Sequence, residues 1–156
     1  MVLKERTLQL VEELFSRYPV LSEQKDSIMN ALHALLVCYR SSGKVMVCGN
    51  GGSASDSEHI VGELLKSFSR KRPLDPSFSM TLKTIYGEEE AKSIQMNLEG
   101  ALPAISLVNQ TGLITAFSND VNPEYIFAQQ AYAYCLPGDI LWGLSTSGNS
   151  KNVVHA

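Results

Sequence analysis

KVMVCGNGGSAS, Lys44 to Ser55, reads as a strand that breaks into a glycine turn and continues into a helix. Val45 to Cys48 is a continuous apolar run, the pattern of a strand buried on both faces of a parallel sheet. Asn50-Gly51-Gly52-Ser53 then breaks the run. The same design recurs about a hundred residues later in DILWGLSTSGNS, Asp139 to Ser150, where Ile140 to Leu144 gives way to Ser145-Thr146-Ser147-Gly148-Asn149-Ser150. In such turns glycine lets the backbone approach a ligand. The first helical N–H groups are unpaired, and the helix end carries a partial positive charge. Ser53, Ser145, Thr146, Ser147 and Ser150 add hydroxyl donors without charge. Two such loops from two strands of one sheet point to a small phosphorylated metabolite. Neither carries a nucleotide pattern: no G-x-G-x-x-G follows Val47, and no G-K-[ST] ends either loop. Either loop alone would pass for an ordinary strand-to-helix turn, with Ser53 or Asn149 as helix N-cap. Their pairing favours the anion site.

The 156 residues fit one domain with a sizeable core, and the formal net charge is −3. The longest basic run is Arg70-Lys71-Arg72, which argues against nucleic acid as a ligand. MVLKERTLQLVEELF interleaves charge with apolar residues, and no apolar run nears the length of a bilayer span, so neither a signal peptide nor a membrane partner is expected. Cys38, Cys48 and Cys135 are odd in number and lack metal-type spacing. They read as reduced thiols of a cytoplasmic protein.

Outward from the two loops the chain alternates helices and strands. Leu3, Leu10, Val11, Leu14, Phe15 and Tyr18 recur at helical spacing up to Pro19. A second helix is expected from about Ser22, with the stripe Ile28, Leu32, Leu35, Leu36 and Tyr39, ending at Ser41-Ser42-Gly43. Residues 1–42 thus read as a helical hairpin. Its surplus apolar surface suits packing on a partner subunit. A helix from about Ala54 to Phe68 follows the first loop, and residues 73–101 read as an inserted pair of short helices interrupted by Gly87. The second strand is expected at Ala104 to Val108, an apolar stretch at Ile114 to Phe117, a helix from Pro123 to Tyr134, and the third strand at Ile140 to Leu144 with Trp142 in the core. The alternation argues a parallel, right-handedly wound sheet with flanking helices. Three strands are few for such a sheet, and the last helix has run only about two turns at Ala156. A fragment of a single domain, lacking C-terminal strands and a helix, is expected.

His59 and Glu63 stand at i and i+4, one turn apart on one helix face. They could share a zinc ion or act in proton transfer, and a plain solvent-exposed pair would have the same spacing. Two ligands are too few for zinc, so any site needs donors from elsewhere. Asn119-Asp120 offers a carboxylate for sugar hydroxyls, or a turn or helix cap. His33 lies within a helix and reads as structural, and His155 at the chain end allows no reading.

GNGGSASDSEHIVGEL (Gly49 to Leu64), SND (Ser118 to Asp120) and GDILWGLSTSGNSKNV (Gly138 to Val153) resemble the sugar isomerase (SIS) domain family, in particular its phosphoheptose isomerase branch. The resemblance implies a flavodoxin-like doubly wound fold and a homotetramer. Asn50, Gly51, Gly52, Ser53, Asn119, Asp120, Ser145, Thr146, Ser147 and Ser150 would contact the sugar phosphate. It further implies that His59 and Glu63 bind zinc, with Glu63 also the catalytic acid/base of a ketose–aldose interconversion through an enediol. The substrate implied is sedoheptulose 7-phosphate. The family's remaining zinc ligands, a glutamine and a histidine on the last helix, have no counterpart here, so the site is incomplete and this chain is expected to be inactive by itself. About thirty residues from Pro73 to Leu102 also stand where the family has a few. An alternative within the family is a non-catalytic phosphosugar-binding regulator, such as those that bind the bacterial replication initiator. Such regulators typically lack the carboxylate one turn after the histidine, which this chain has in Glu63.

Overall fold

A computed structural model describes residues 3–156, which fall into two compact units, one ending at Val37 and the other running from Cys38 to Ala156. In the first, helix α1 spans Glu5–Arg17 and a 3₁₀ segment spans Pro19–Gln24; α2, Lys25–Arg40, begins in this unit. The second helix therefore starts three residues later than its apolar stripe suggests. Pro19 opens a tighter turn, in which Leu21 N–H donates to the Tyr18 carbonyl at 3.0 Å. Within α1, Arg17 pairs with Glu13 at 2.6 Å. The Lys25 ammonium lies 5.6 Å from the centre of the Phe15 ring. No described residue of this unit is buried, so its amphipathic helices have no core of their own.

The second unit is built on three parallel strands, β1 (Val45–Gly49), β2 (Ala104–Ser106) and β3 (Ile140–Leu144), in the order β2-β1-β3. Val45 pairs with Ala104 on one side and with Ile140 on the other; the ladder to β3 runs out to Gly49 and Leu144. β1 lies in the middle, and all five of its residues are buried, as its unbroken apolar run requires. Met46 and Cys48 point into a cluster with Leu107, Ile126 and Phe127, backed by Ile114, Phe117, Leu141 and Val153. Val45 and Val47 face the other way, where α3 (Gly52–Leu65) packs on β1 and β2. Helices on both faces of a parallel sheet make this an α/β fold of the doubly wound kind.

The remaining elements are α4 (Pro76–Asn97), α5 (Thr111–Asp120), a 3₁₀ turn at Pro123–Tyr125, α6 (Ile126–Tyr134) and α7 (Lys151–Val154). α4 is the expected pair of helices joined by a kink at Gly87, whose φ of +78° suits glycine. Gln95 Nε2 reaches the Ser79 carbonyl at 3.2 Å across the bend, and Leu82 and Ala91 are buried.

Several sequence expectations shift. β2 ends at Ser106: Leu107 N–H still donates to the Val47 carbonyl at 2.9 Å, and Leu107 and Val108 form a turn. The apolar stretch at Ile114 is itself a helix, α5. The helix expected from Pro123 begins as a 3₁₀ turn capped by Asn122 Oδ1, which accepts from Glu124 N–H at 2.8 Å. Gly51, not Ser53, is the N-cap of α3, and Ser150, not Asn149, that of α7. Trp142 is 37% exposed rather than core, since β3 is an edge of the described sheet. Among the described residues no helix is long and apolar enough to cross a membrane.

Candidate functional site

Because β1 and β3 are neighbours and parallel, the loops that follow them emerge side by side at one end of the sheet. This is where open α/β sheets bind ligands. Gly51 begins the first loop's helix with φ +56° and ψ −122°, a backbone conformation that glycine adopts without strain. Ser53 N–H donates to the Asn50 carbonyl and Ala54 N–H to the Gly51 carbonyl, each at 3.0 Å. Among the described residues, the N–H groups of Gly51 and Gly52 meet no backbone acceptor. They are the donors left open to a ligand. The helix is seated tightly. A Cβ on Gly49 would lie 2.6 Å from the Ser53 carbonyl oxygen, and the buried Ser57 hydroxyl bonds the same carbonyl at 2.7 Å.

The second loop gathers hydroxyls. Ser145 Oγ lies 3.1 Å from Ser150 Oγ and 3.4 Å from Ser147 Oγ, and Ser147 Oγ accepts from Asn149 N–H at 3.2 Å. Thr146 is exposed beside them. α7 is held from three sides. Lys151 pairs with Glu124 at 2.8 Å, which raises the lysine's pKa. His155 Nδ1 lies 3.1 Å from the Glu124 carbonyl, and its ring stacks on Tyr125 with centroids 4.6 Å apart. Val153 presses on β3 so closely that a Cβ on Gly143 would lie 2.6 Å from Val153 Cγ1. Finally, Asn152 joins the two loops: Asn50 Nδ2 donates to Asn152 Oδ1 at 2.8 Å, and Asn152 Nδ2 donates to Asn50 Oδ1 at 2.9 Å.

His59 Nε2 and Glu63 Oε1 stand 3.7 Å apart on α3, with side chains 76% and 38% exposed. Glu63 Oε2 is nevertheless buried without a hydrogen-bond partner among the described residues, so that oxygen has acceptor capacity to spare. The C-terminal end of α3, one residue on, is fixed from outside. The Leu64 carbonyl accepts from Arg72 Nη2 at 2.8 Å and from Leu102 N–H at 2.9 Å. Glu99 fastens the segment between, taking Ser67 N–H at 3.0 Å, Arg72 N–H at 3.3 Å and the Ser67 hydroxyl. These donors, the Ser67 hydroxyl first, hold the Glu99 carboxyl below the usual carboxylate range.

The sequence-picked residues are thus not all gathered. Asn50 to Ser53 and Ser145 to Ser150 meet at the ends of β1 and β3, and His59 and Glu63 lie further along α3. Asn119 and Asp120 close α5, exposed, and their side chains bond each other at 2.8 Å. Among the described residues no group of three or more His, Cys, Asp or Glu side chains could hold a metal. The pair His59–Glu63 is suited to zinc in donor type and would supply two of the three or four ligands such an ion needs. Burial pushes the Cys48 thiol up to about 11, so it remains a protonated core residue. Asn152 and Arg72 escaped the sequence reading. No spacing rule pairs residues 102 positions apart, and a basic run gives no sign that one of its members caps a helix.

A family model described as the SIS domain matches residues 10–99. The phosphoheptose isomerase of Chromohalobacter salexigens is 39% identical over 126 residues, covering 81% of this chain and 50% of that protein. The phosphoheptose isomerase of Methylibium petroleiphilum is 39% identical over 129 residues, covering 83% and 51%. Among solved structures, a phosphoheptose isomerase from Neisseria gonorrhoeae aligns with a TM-score of 0.61 at 29% identity, covering 97% of this chain and 59% of its own. One from Francisella tularensis aligns at 0.64 and 28%, covering 96% and 67%. The chain spans about half the length of the curated relatives it matches.

Proposed function

The chain belongs to the SIS domain family, and we propose that it is the loop-bearing part of a phosphoheptose isomerase that interconverts sedoheptulose 7-phosphate and its aldose isomer. One observation carries the reading: two uncharged, donor-rich loops stand side by side at the ends of β1 and β3, on the same unit as a helix bearing an acid/base pair. The Gly51 and Gly52 N–H groups and the hydroxyls of Ser53, Ser145, Thr146, Ser147 and Ser150 would hold the phosphate. Asn119 and Asp120 would join the sugar site only from α5.

In the reaction Glu63 removes a proton from C1 beside the C2 carbonyl while O2 takes up a proton to give the enediol; Glu63 then returns its proton to C2 while O1 gives up its own, so that one hydrogen has moved from C1 to C2 and one from O1 to O2. A carboxylate oxygen without a hydrogen-bond partner suits the proton-accepting role. His59 and Glu63 would hold zinc together with donors beyond this pair. A zinc ion there would supply charge stabilisation for the developing oxyanion. His59 itself would keep the shared face of α3 polar and ordered.

A homotetramer accords with the first unit, where Leu8, Leu10, Val20 and Val37 are all at least 45% exposed. A cytoplasmic setting accords with the three unpaired thiols Cys38, Cys48 and Cys135. The decisive assay is deuterium uptake from solvent into sedoheptulose 7-phosphate by protein of the relatives' full length, because His59 and Glu63 alone leave the zinc site incomplete. Exchange at C1 or C2 supports the isomerase, and its absence with any heptose or hexose phosphate removes it.

A further inference from the structure

The second loop hangs between β3 and α7, and α7 has only four residues with which to hold its end in place. Val153 and Lys151 fix α7 to β3 and to Glu124. The ladder between β1 and β3 ends at Gly49 and Leu144, so beyond it the loops share no backbone pairing. Asn50 is the next residue after that last rung. Its carboxamide and that of Asn152 exchange two reciprocal hydrogen bonds, at 2.8 and 2.9 Å.

We propose that Asn152 is a positioning residue that clasps Asn50 and sets the spacing between the Gly51–Gly52 donors and the Ser145–Ser147–Ser150 hydroxyl cluster before ligand arrives. The geometry carries this. Ser150, whose hydroxyl completes the cluster, is the N-cap of α7, two residues before Asn152. Any movement of α7 therefore moves one side of the anion site relative to the other. An anion gripped from both loops is bound well only if their separation is already correct, because ordering them on binding would cost affinity. The clasp engages one N–H and one oxygen lone pair of each carboxamide. Through it Asn50 acts on the ligand by way of the loop it anchors. The ligand half of this inference rests on the sugar-phosphate reading above, and the clasp itself does not.

Asn152→Leu keeps the side chain's size and removes both hydrogen bonds. Hydrogen exchange of the ligand-free protein should then quicken about tenfold at the amides of Ser53 and Ala54, which are bonded to the Asn50 and Gly51 carbonyls, with the melting temperature within about 2 °C of wild type. Calorimetric affinity for sedoheptulose 7-phosphate should weaken about tenfold. Asn50→Ala should reproduce both effects, and the double variant should be no worse than the stronger single one, as expected for two residues acting through one contact. Asn50→Ala alone decides the matter if Asn152→Leu does not fold. Unchanged exchange in the first loop, or losses that simply add in the double variant, would overturn the clasp. A wild-type protein that binds no sugar phosphate overturns the isomerase reading instead, while the exchange rates still judge the clasp.

Discussion

Lys44 gives Asp139 both its backbone N–H, at 2.9 Å, and its side-chain ammonium, fastening the entry of β1 to the entry of β3. The Ile140 N–H returns a bond to the Lys44 carbonyl at 3.0 Å, and Leu136 N–H gives the carboxylate a further donor at 2.8 Å. The Asp139 side chain is only 4% exposed. The Lys44 ammonium, then its N–H, hold the carboxyl down at about 2. The junction fixes the starting ends of the two strands whose far ends carry the ligand loops.

Acid should reveal this junction. A carboxyl whose pKa falls on folding, here from 3.8 to about 2, stabilises the native state fully above about pH 4 and loses that contribution as pH drops through about 2. Asp139→Asn should destabilise the protein by about 1–3 kcal/mol at pH 7, since it leaves a partly buried ammonium and N–H poorly paired. The gap between variant and wild type should close between pH 4 and pH 2. Denaturant melts at pH 7 and pH 2.5 measure it, and an equal gap at both would refute the assignment.

Charge at the second loop offers a test of the anion site. Ser147 has one neighbour hydroxyl at 3.4 Å and one backbone donor, so its replacement disturbs little else. Ser147→Asp places a negative charge against a bound phosphate and should abolish sugar-phosphate binding, whereas Ser147→Ala should weaken it only several-fold. Equal calorimetric affinity for Ser147→Asp and wild type would place the anion elsewhere.

How much of this was legible beforehand follows physical lines. β1 and β3 could be read because strands between helical layers are apolar without interruption. α3 and α6 could be read from their flanking punctuation. α5 was only an apolar stretch: Thr111, Gly112, Thr115 and Asn119 are weak helix formers and thin the 3.6-residue stripe to Ile114 and Phe117. Trp142 was misplaced because one strand's residues do not reveal whether it lies centrally or at an edge. In the site, glycines and hydroxyls announce themselves locally. The Asn50–Asn152 bond, the Arg72 cap on Leu64 and the Gln130 Nε2 bond to the Leu107 carbonyl at 2.9 Å arise only when distant segments meet.

Gly143 is a packing constraint on the second loop. A Cβ there would stand 2.6 Å from Val153 Cγ1, and valine's branched side chain has few rotamers with which to retreat. Gly143→Ala should therefore cost about 1–3 kcal/mol. Val153→Ala in the same molecule should restore part of it. Thermal melts of the two single variants and the double variant supply the cycle; purely additive losses would mean that the two positions do not share the contact.

Metal uptake separates the two uses of His59. If the pair binds zinc, isothermal titration should register the metal, weakly where only these two donors are engaged, and His59→Ala should lower that affinity at least about tenfold. Zinc binding unaffected by His59→Ala would leave the residue as the solvent-facing partner of Glu63 that its 76% exposure also permits.

If Glu63 is the base, its substitution discriminates best. Glu63→Gln keeps the side chain's length and polarity while removing the base and the negative charge. The end of α3 remains fixed by Arg72 and Leu102 on the Leu64 carbonyl, so the backbone beneath residue 63 should not move. In protein of the relatives' full length, turnover of sedoheptulose 7-phosphate should fall by about a hundredfold or more, with binding of the sugar changed only slightly, because the lost interaction belongs to the transition state. Solvent deuterium exchange into the sugar should fall in parallel, since both depend on the same proton abstraction. A variant that keeps its exchange rate would remove Glu63 as the base. A variant that loses binding as well as turnover would make it a ligand for substrate or metal first and a proton carrier second.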